Sequence, residues 1–294
     1  MHLNLFQSLQ GRTSGKNFRA GFPNLDESPH YIRGKLLGEQ SSFAANEAYK
    51  AARTNLMFTR NGEGCQTIAF TSTFPREGKT VTCCNLAISM SQNSQRVLII
   101  DADMRKPMIA NMFNIPNNLG LSEYLAGIRD PNLENNSLPF VPTQHPNLSV
   151  IPSGHIPPNP AELLASTRMK LLLEQAANYF DYIFIDTPPV SVVTDAAVLV
   201  KNVKGYVFVA RAGVTLLEDL HDAVLKMDQV DANILGFMLN DLDSKSGSYK
   251  YTKSGSYKYK TYRRDRKYAY NLPRETNLDS ERFNIAGQRE KSEL

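Results

Sequence analysis

The sequence predicts a doubly wound α/β domain on a mainly parallel sheet, and three observations carry that prediction. Short apolar runs at Thr67–Phe70, Val97–Ile100, Tyr182–Ile185, Gly205–Ala210 and Ile234–Leu239 alternate with helical patterns. Continuous rather than alternating apolarity is the mark of strands buried on both faces. The first run passes through a loop ending Gly78-Lys79-Thr80 and then into a helical stretch with Val81, Leu86, Ile88 and Met90 apolar. Acids follow the next runs: Asp101 and Asp103 after Val97–Ile100, and Asp186 after Tyr182–Ile185. Open α/β sheets bind ligands at these carboxyl ends.

The residue types specify a phosphate site, and hence a P-loop NTPase-like fold. A loop of this kind wraps phosphate in backbone N–H groups, and the helix N-terminus behind it adds partial positive charge. Lys79 can reach the outer phosphates of a nucleotide, and the Thr80 hydroxyl can ligate Mg²⁺. Asp101, Asp103 and Asp186 are hard oxygen groups suited to Mg²⁺ or to accepting a proton. Thr73 stands where the usual first glycine of G-x-x-x-x-G-K-[ST] would be. A bare Gly-Lys-Thr is common by chance. The strand before it and the helix and Asp-bearing strand after it weigh against the alternative, an ordinary strand–turn–helix with no nucleotide.

The chain has 294 residues, with 41% hydrophobic content and no tryptophan. No apolar run approaches the 18 or so residues of a membrane-spanning helix, and the N-terminus turns polar after Leu9, unlike a signal peptide. Three cysteines, Cys65, Cys83 and Cys84, make no disulfide framework, and this reads as an intracellular chain. The net charge of +4 is unevenly spread. Residues 245–294 hold 13 Lys+Arg against 6 Asp+Glu, whereas the rest is net negative. A nucleic-acid-binding domain would carry its positive charge on the folded face, so no nucleic acid is expected as a partner.

Taken in order, residues 1–39 lack periodicity and read as a flexible or loosely docked extension. Ser42 to Thr59 is an Ala-rich helix. Glu47, Lys50 and Arg53 recur on one broad face of it, which composition alone makes a solvated face. Leu121 to Leu125 is a short helix. Seven prolines between Pro139 and Pro160 make that stretch loop, with one strand at Leu148–Ile151. Asn159-Pro160-Ala161-Glu162 starts a helix with an N-cap, Pro at N1 and an acid at N3, and Leu163, Leu164, Leu171 and Leu172 suit its buried side. Asp195 reads as the cap of another helix. Leu216 to Val230 is a helix. The α/β domain thus spans residues 40–243.

The tail, 244–294, repeats KSGSYKYT as KSGSYKYK, cannot build a core, and reads as disordered. Seven of the thirteen tyrosines cluster here: Tyr249, Tyr251, Tyr257, Tyr259, Tyr262, Tyr268 and Tyr270. Basic residues among aromatics fit single-stranded nucleic acid, anionic lipid, or phosphoacceptor tyrosines.

Several stretches together resemble the bacterial tyrosine kinases (BY-kinases) of exopolysaccharide and capsule biosynthesis. They are Thr71-Ser72, Pro75, Glu77-Gly78-Lys79-Thr80, Asn85-Leu86-Ala87 and Asp101-Ala102-Asp103-Met104-Arg105-Lys106-Pro107. Two positions depart from the family pattern: Arg76 replaces a small residue, and Lys50 replaces an arginine in the E-x-x-R-x-x-R helix. Phe74 stands where the related partitioning and septum-positioning ATPases carry a signature lysine.

The resemblance implies ATP-dependent autophosphorylation of the tyrosine cluster, with ATP and Mg²⁺ as cofactors. It implies catalytic roles for Lys79, Asp101, Asp103 and Asp186, and metal ligation by Thr80, Asp101 and Asp186. It puts Glu77, Gly78, Lys79, Thr80, Val81, Arg211 and Asn240 around the nucleotide, and Glu47, Lys50 and Arg53 at a subunit contact of a ring. It also implies a membrane polysaccharide copolymerase as activator, a protein-tyrosine phosphatase as antagonist, and a cytoplasmic site at the inner face of the plasma membrane through the partner. The alternatives are an ATP-switched oligomeric scaffold without kinase output, or a partitioning-type ATPase.

Overall fold

A computed structural model describes residues 36–59, 62–128 and 137–241. The expected tail, with its seven tyrosines, and the expected extension as far as residue 35 lie outside the described residues.

The first helix, α1 (Phe43–Phe58), is capped by Ser42, whose hydroxyl accepts the Ala45 N–H at 3.2 Å. Ahead of it, Leu37 is buried in the core and donates its N–H to Asn85 Oδ1 at 2.8 Å. Packed structure therefore begins before residue 40, where the sequence offers only a mixed-polarity stretch. Strand β1 (Gln66–Ser72) feeds the loop and helix α2 (Lys79–Ser91), and β2 (Val97–Asp101) follows. Two short helices come next, α3 (Ile109–Phe113) and α4 (Leu121–Ala126), then β3 (Val141–Pro142) and β4 (Leu148–Ile151). Helices α5 (Pro160–Leu164) and α6 (Thr167–Ala176) lead to β5 (Tyr182–Asp186). The described chain closes with β6 (Gly205–Arg211), α7 (Leu217–Asp228) and β7 (Ile234–Asn240).

The strands form one sheet in the order β3-β4-β2-β5-β1-β6-β7. Every pairing is parallel except β3 with β4. The two-residue β3 falls in the proline-rich stretch that reads as loop. Its Pro142 is tolerable only because β3 is at the sheet edge.

Each strand alternates between two cores, since successive side chains point to opposite faces. Leu98, Ile100, Ile183 and Ile185 face one core, under α5, α6 and α7. Val97, Ile99, Tyr182 and Phe184 face the other, which contains α2 and Leu56 of α1. Helix α2 lies between the sheet and α1, so Cys83, Cys84, Leu86, Ala87, Ile88 and Met90 are all buried. The two cysteines are packing residues, and burial pushes their thiols well above the ordinary range.

Two local expectations are corrected. The helix starting at Pro160 is two helices. Ser166 breaks the phase and caps the second by accepting the Met169 N–H at 3.3 Å. The restart turns Leu171 outward (53% exposed) and brings Leu173 in beside Leu172. Asn159 does not cap a backbone N–H; its amide donates to Glu162 Oε2 at 2.6 Å. Asp195 caps nothing either. It is fully buried and receives Arg105 Nε at 2.8 Å and Nη2 at 3.0 Å.

Candidate active site

Strand β1 ends at Ser72, and the loop from Thr73 to Gly78 turns the chain into α2. Gly78 has φ 92°, a conformation that favours glycine, and a Cβ there would lie 1.9 Å from Asn240 Nδ2 and push that amide away from the loop. Arg76 also adopts a left-handed conformation, φ 69°. It takes the backbone region that a glycine enters freely, at a cost of roughly 1–2 kcal/mol. The departure from the family pattern therefore does not remove the turn.

Glu77 organises this loop. Its carboxylate is buried, with Oε2 accepting the Phe74 N–H at 2.9 Å and Oε1 accepting the Thr215 hydroxyl at 2.5 Å. Its carbonyl accepts Asn240 Nδ2 at 3.2 Å. Thr215 Oγ1 in turn accepts the Arg211 N–H at 2.8 Å. Arg211 directs its guanidinium to Asp241, with Nε at 2.9 Å and Nη2 at 2.8 Å. The ends of β6 and β7 therefore brace the loop, and Thr215 is the residue that joins them.

The charged centre lies at the carboxyl ends of β2 and β5. Asp101 and Asp186 are register partners on these neighbouring parallel strands. Lys79 Nζ lies 2.9 Å from Asp103 Oδ2, 3.4 Å from each oxygen of Asp186 and 3.2 Å from Thr80 Oγ1. The Thr80 hydroxyl donates to Asp186 Oδ2 at 2.7 Å. Asp101 Oδ2 accepts the N–H groups of Met108 (3.2 Å) and Ile109 (3.0 Å). Asp101 Oδ1 is buried without a hydrogen-bond partner among the described residues. Thr73 Oγ1, at the position of the missing first glycine, is in the same condition.

Burial and mutual charge set the titration of Asp101, Asp186 and Lys79. Burial first, and then the charge of Asp186, pushes Asp101 up to about 8. Burial pushes Asp186 up to about 6, opposed by Lys79. Burial alone would lower the Lys79 ammonium, but Asp186 and Asp103 hold it above its ordinary value. A buried site with one unpartnered carboxylate oxygen beside a second carboxylate lacks positive charge. Among the described residues no group of three or more His, Cys, Asp or Glu side chains could hold a metal ion by itself. Mg²⁺ takes one or two carboxylates and completes its shell with water and substrate phosphate. Thr80, Asp101 and Asp186 could supply donors of that kind.

The structure thus brings Glu77, Gly78, Lys79, Thr80, Asp101, Asp103, Asp186 and Asn240 together, with Arg211 at the margin and Val81 half-buried on α2. The helix α1 residues divide. Lys50 and Glu47 form an exposed ion pair at 2.9 Å, whereas Arg53 turns inward and donates to the Ser89 carbonyl at 2.7 Å. The single broad face read from their spacing is not what Arg53 occupies. Sequence reasoning missed the Arg105–Asp195 pair. The partners are 90 positions apart, and no local pattern links them.

Fold and site together define a P-loop nucleotide-binding domain. A family model described as an AAA domain matches residues 65–211. The tyrosine-protein kinase Etk of Escherichia coli K12 is 37% identical over 212 residues, which is 71% of this chain and 28% of that protein. The tyrosine-protein kinase CpsD of Streptococcus agalactiae is 35% identical over 204 residues, 69% of this chain and 86% of that one. The solved kinase domain of Escherichia coli Etk superposes with a TM-score of 0.64 at 36% identity, covering 70% of this chain and 80% of that domain. The chain belongs to the bacterial tyrosine-protein kinase family. It spans little more than a quarter of the length of the Escherichia coli relative and most of the streptococcal one. Among the described residues, no helix is long and apolar enough to cross a membrane.

Proposed function

We propose that this chain is an ATP-dependent protein-tyrosine kinase that phosphorylates its own tyrosines Tyr249, Tyr251, Tyr257, Tyr259, Tyr262, Tyr268 and Tyr270. The observation that carries this is Lys79, held 2.9 Å from Asp103 and 3.4 Å from Asp186 at the root of the phosphate loop. A lysine paired in this way is a cation in waiting. A nucleotide's phosphates compete for it, and its transfer to them frees Asp103.

Phosphoryl transfer asks mainly for positioning and charge neutralisation. The N–H groups of Glu77 to Val81 at the start of α2 would hold the phosphates, with Gly78 allowing close approach. Thr80, Asp101 and Asp186 would hold Mg²⁺, which supplies charge neutralisation on the phosphates when bound. Asn240 and Arg211 would flank the nucleoside. Asp103 is the better proton acceptor of the two β2 acids. Its side chain keeps some exposure (10%), and its Oδ2 is released when Lys79 moves. Asp101 is fully buried and fastened by two backbone N–H groups. Free tyrosine titrates near 10, so a carboxylate takes the phenol proton late, once bond formation to phosphorus has made the phenol acidic.

Family membership supports a role in capsule or exopolysaccharide production, with a membrane polysaccharide copolymerase as activator, a phosphatase as antagonist, and Glu47, Lys50 and Arg53 at a contact between copies. The test is to incubate the full chain with ATP and Mg²⁺ and map phosphate by mass spectrometry. Wild-type protein should carry phosphotyrosine between residues 249 and 270, and Lys79→Met should carry none while keeping its fold. Phosphate on Lys79→Met at the wild-type level would sink the assignment. ATP hydrolysis by wild type with no phosphotyrosine would instead favour an ATP-switched scaffold.

A further inference from the structure

Arg105 stands apart from the machinery described so far. It lies two residues beyond Asp103, at the turn in which the Lys106 N–H donates to the Asp103 carbonyl (3.2 Å) and to Asp103 Oδ1 (3.1 Å). Its Nε and Nη2 are fixed on both oxygens of Asp195, whose side chain has no exposure. Asp195 belongs to the loop that leaves β5 after Asp186. The pair thus clamps together the two loops that follow β2 and β5, the strands that end in Asp101 and Asp186.

The two partners of this salt bridge are unequally exposed. Here only the carboxylate is buried, and the arginine side chain is 42% exposed. The opposite edge of the guanidinium, Nη1, makes no hydrogen bond within the described residues. A forked cation with one edge locked and one edge open is preorganised for a second anion, since its rotamer is already fixed. Its neighbour Lys106 is exposed as well. The Asp195 hydrogen bonds hold the guanidinium's pKa above its ordinary value, and the charge of Asp103 adds to this. Arg105 is therefore firmly cationic and within electrostatic reach of the group proposed to receive the phenol proton.

We infer that Arg105 is the acceptor-side anion contact of this site, receiving the phosphoryl oxygens of the phosphotyrosine product, and that Asp195 is the residue that positions it. The inference rests on the kinase reading for its ligand, and it separates the charges of the site. Lys79 serves the nucleotide's phosphates. Arg105 serves the same phosphoryl group once it sits on tyrosine. The guanidinium takes no proton and forms no covalent bond.

The test needs no turnover. Full-length, phosphatase-treated protein is titrated with a fluorescent hexapeptide copying Ser254–Tyr259, either phosphorylated on Tyr257 or not, and separately with ADP. Wild type should bind the phosphorylated peptide about tenfold more tightly than its twin, the scale of one charge-assisted hydrogen bond. Arg105→Gln should abolish that preference, and Asp195→Asn should weaken it. Arg105→Lys should keep part of it, because a point charge lacks the fork. Removing Arg105 alone leaves Asp195 buried and unpaired, so the paired variant Arg105→Gln/Asp195→Asn keeps the fold as the decisive case. It should unfold at the wild-type temperature, bind ADP within twofold of wild type, and show no preference for phosphate. Retained preference in the paired variant overturns the inference. So does an equal fall in ADP affinity, which would make the clamp merely structural, or a wild type indifferent to the phosphate. A wild type that prefers the phosphopeptide yet never phosphorylates tyrosine would count against the kinase reading and leave the anion contact standing.

Discussion

Asp101→Asn should make the nucleotide-free protein more stable while removing its activity. Asp101 is fully buried, sits beside Asp186 in register, and has one oxygen with no partner. Its pKa of about 8 is some four units above an ordinary aspartate, and each unit corresponds to about 1.4 kcal/mol. Part of that shift is shared with Asp186, so we take roughly half, on the order of 3 kcal/mol, as the cost of ionising Asp101 in the folded protein. The folded value is raised, so the group's favourable contribution is complete below about pH 4 and lost as the pH climbs toward 8. Asparagine keeps the acceptor for the Met108 and Ile109 N–H groups and removes the charge. In a domain of this size 1 kcal/mol shifts the melting temperature by about 2–4 °C. The variant should therefore melt about 6–12 °C above wild type at pH 8, with the gap closing toward pH 5. Dye-monitored unfolding in EDTA without nucleotide measures this, with phosphotyrosine formation followed in parallel. Adding Mg²⁺ and ADP should raise wild type more than the variant, because binding selects the ionised carboxylate. A variant no more stable than wild type at pH 8, or a gap that ignores pH, would refute the strain assigned to Asp101.

Three further outcomes follow from the same geometry. Thr215→Val leaves Glu77 Oε1 buried without its donor, a loss of about 1–3 kcal/mol; fluorescent ADP titration should show affinity down about tenfold, and unchanged affinity would free Thr215 of its bracing role. Glu47→Ala with Arg53→Ala should reduce any oligomer seen by light scattering to monomers, but Arg53→Ala alone should also lower the melting temperature by about 2–4 °C, since it loses the Ser89 contact. Lys245 to Tyr270 hold nine Lys+Arg and one Asp, and each phosphate adds about −1.5 to −2; replacing the seven tyrosines one at a time should therefore reduce ATP-driven dissociation in small steps, and complete loss from one replacement would point to a single docking contact.

Much of this protein was legible in one dimension. Buried parallel strands must be continuously apolar, so β1, β2, β5, β6 and β7 can be read as runs such as VLII and YIFI. A phosphate loop must place its glycine and lysine at the strand-to-helix junction, so Gly78, Lys79 and Thr80 were readable with the acids that follow β2 and β5. Local helix chemistry was less decisive. Ser42 capped its helix as its position suggests, but Asn159 gave its amide to Glu162, and Ser166 restarted a helix whose leucines had suggested a single register.

Only the tertiary structure decided which charges meet. Asp195 looks like a helix cap in sequence, yet it is the buried partner of Arg105, because a carboxylate removed from water must take its counter-charge from whatever the fold brings near, here from 90 residues away. Arg53 shares a spacing with Glu47 and Lys50, yet α2 packs close enough to turn it inward. Glu77 and Thr215 lie 138 positions apart and are joined because β6 lies beside β1. Periodicity and turn chemistry act between neighbours in the chain, so sequence records them. Pairing of buried polar groups acts between neighbours in space, and these are set once the strands have taken their order.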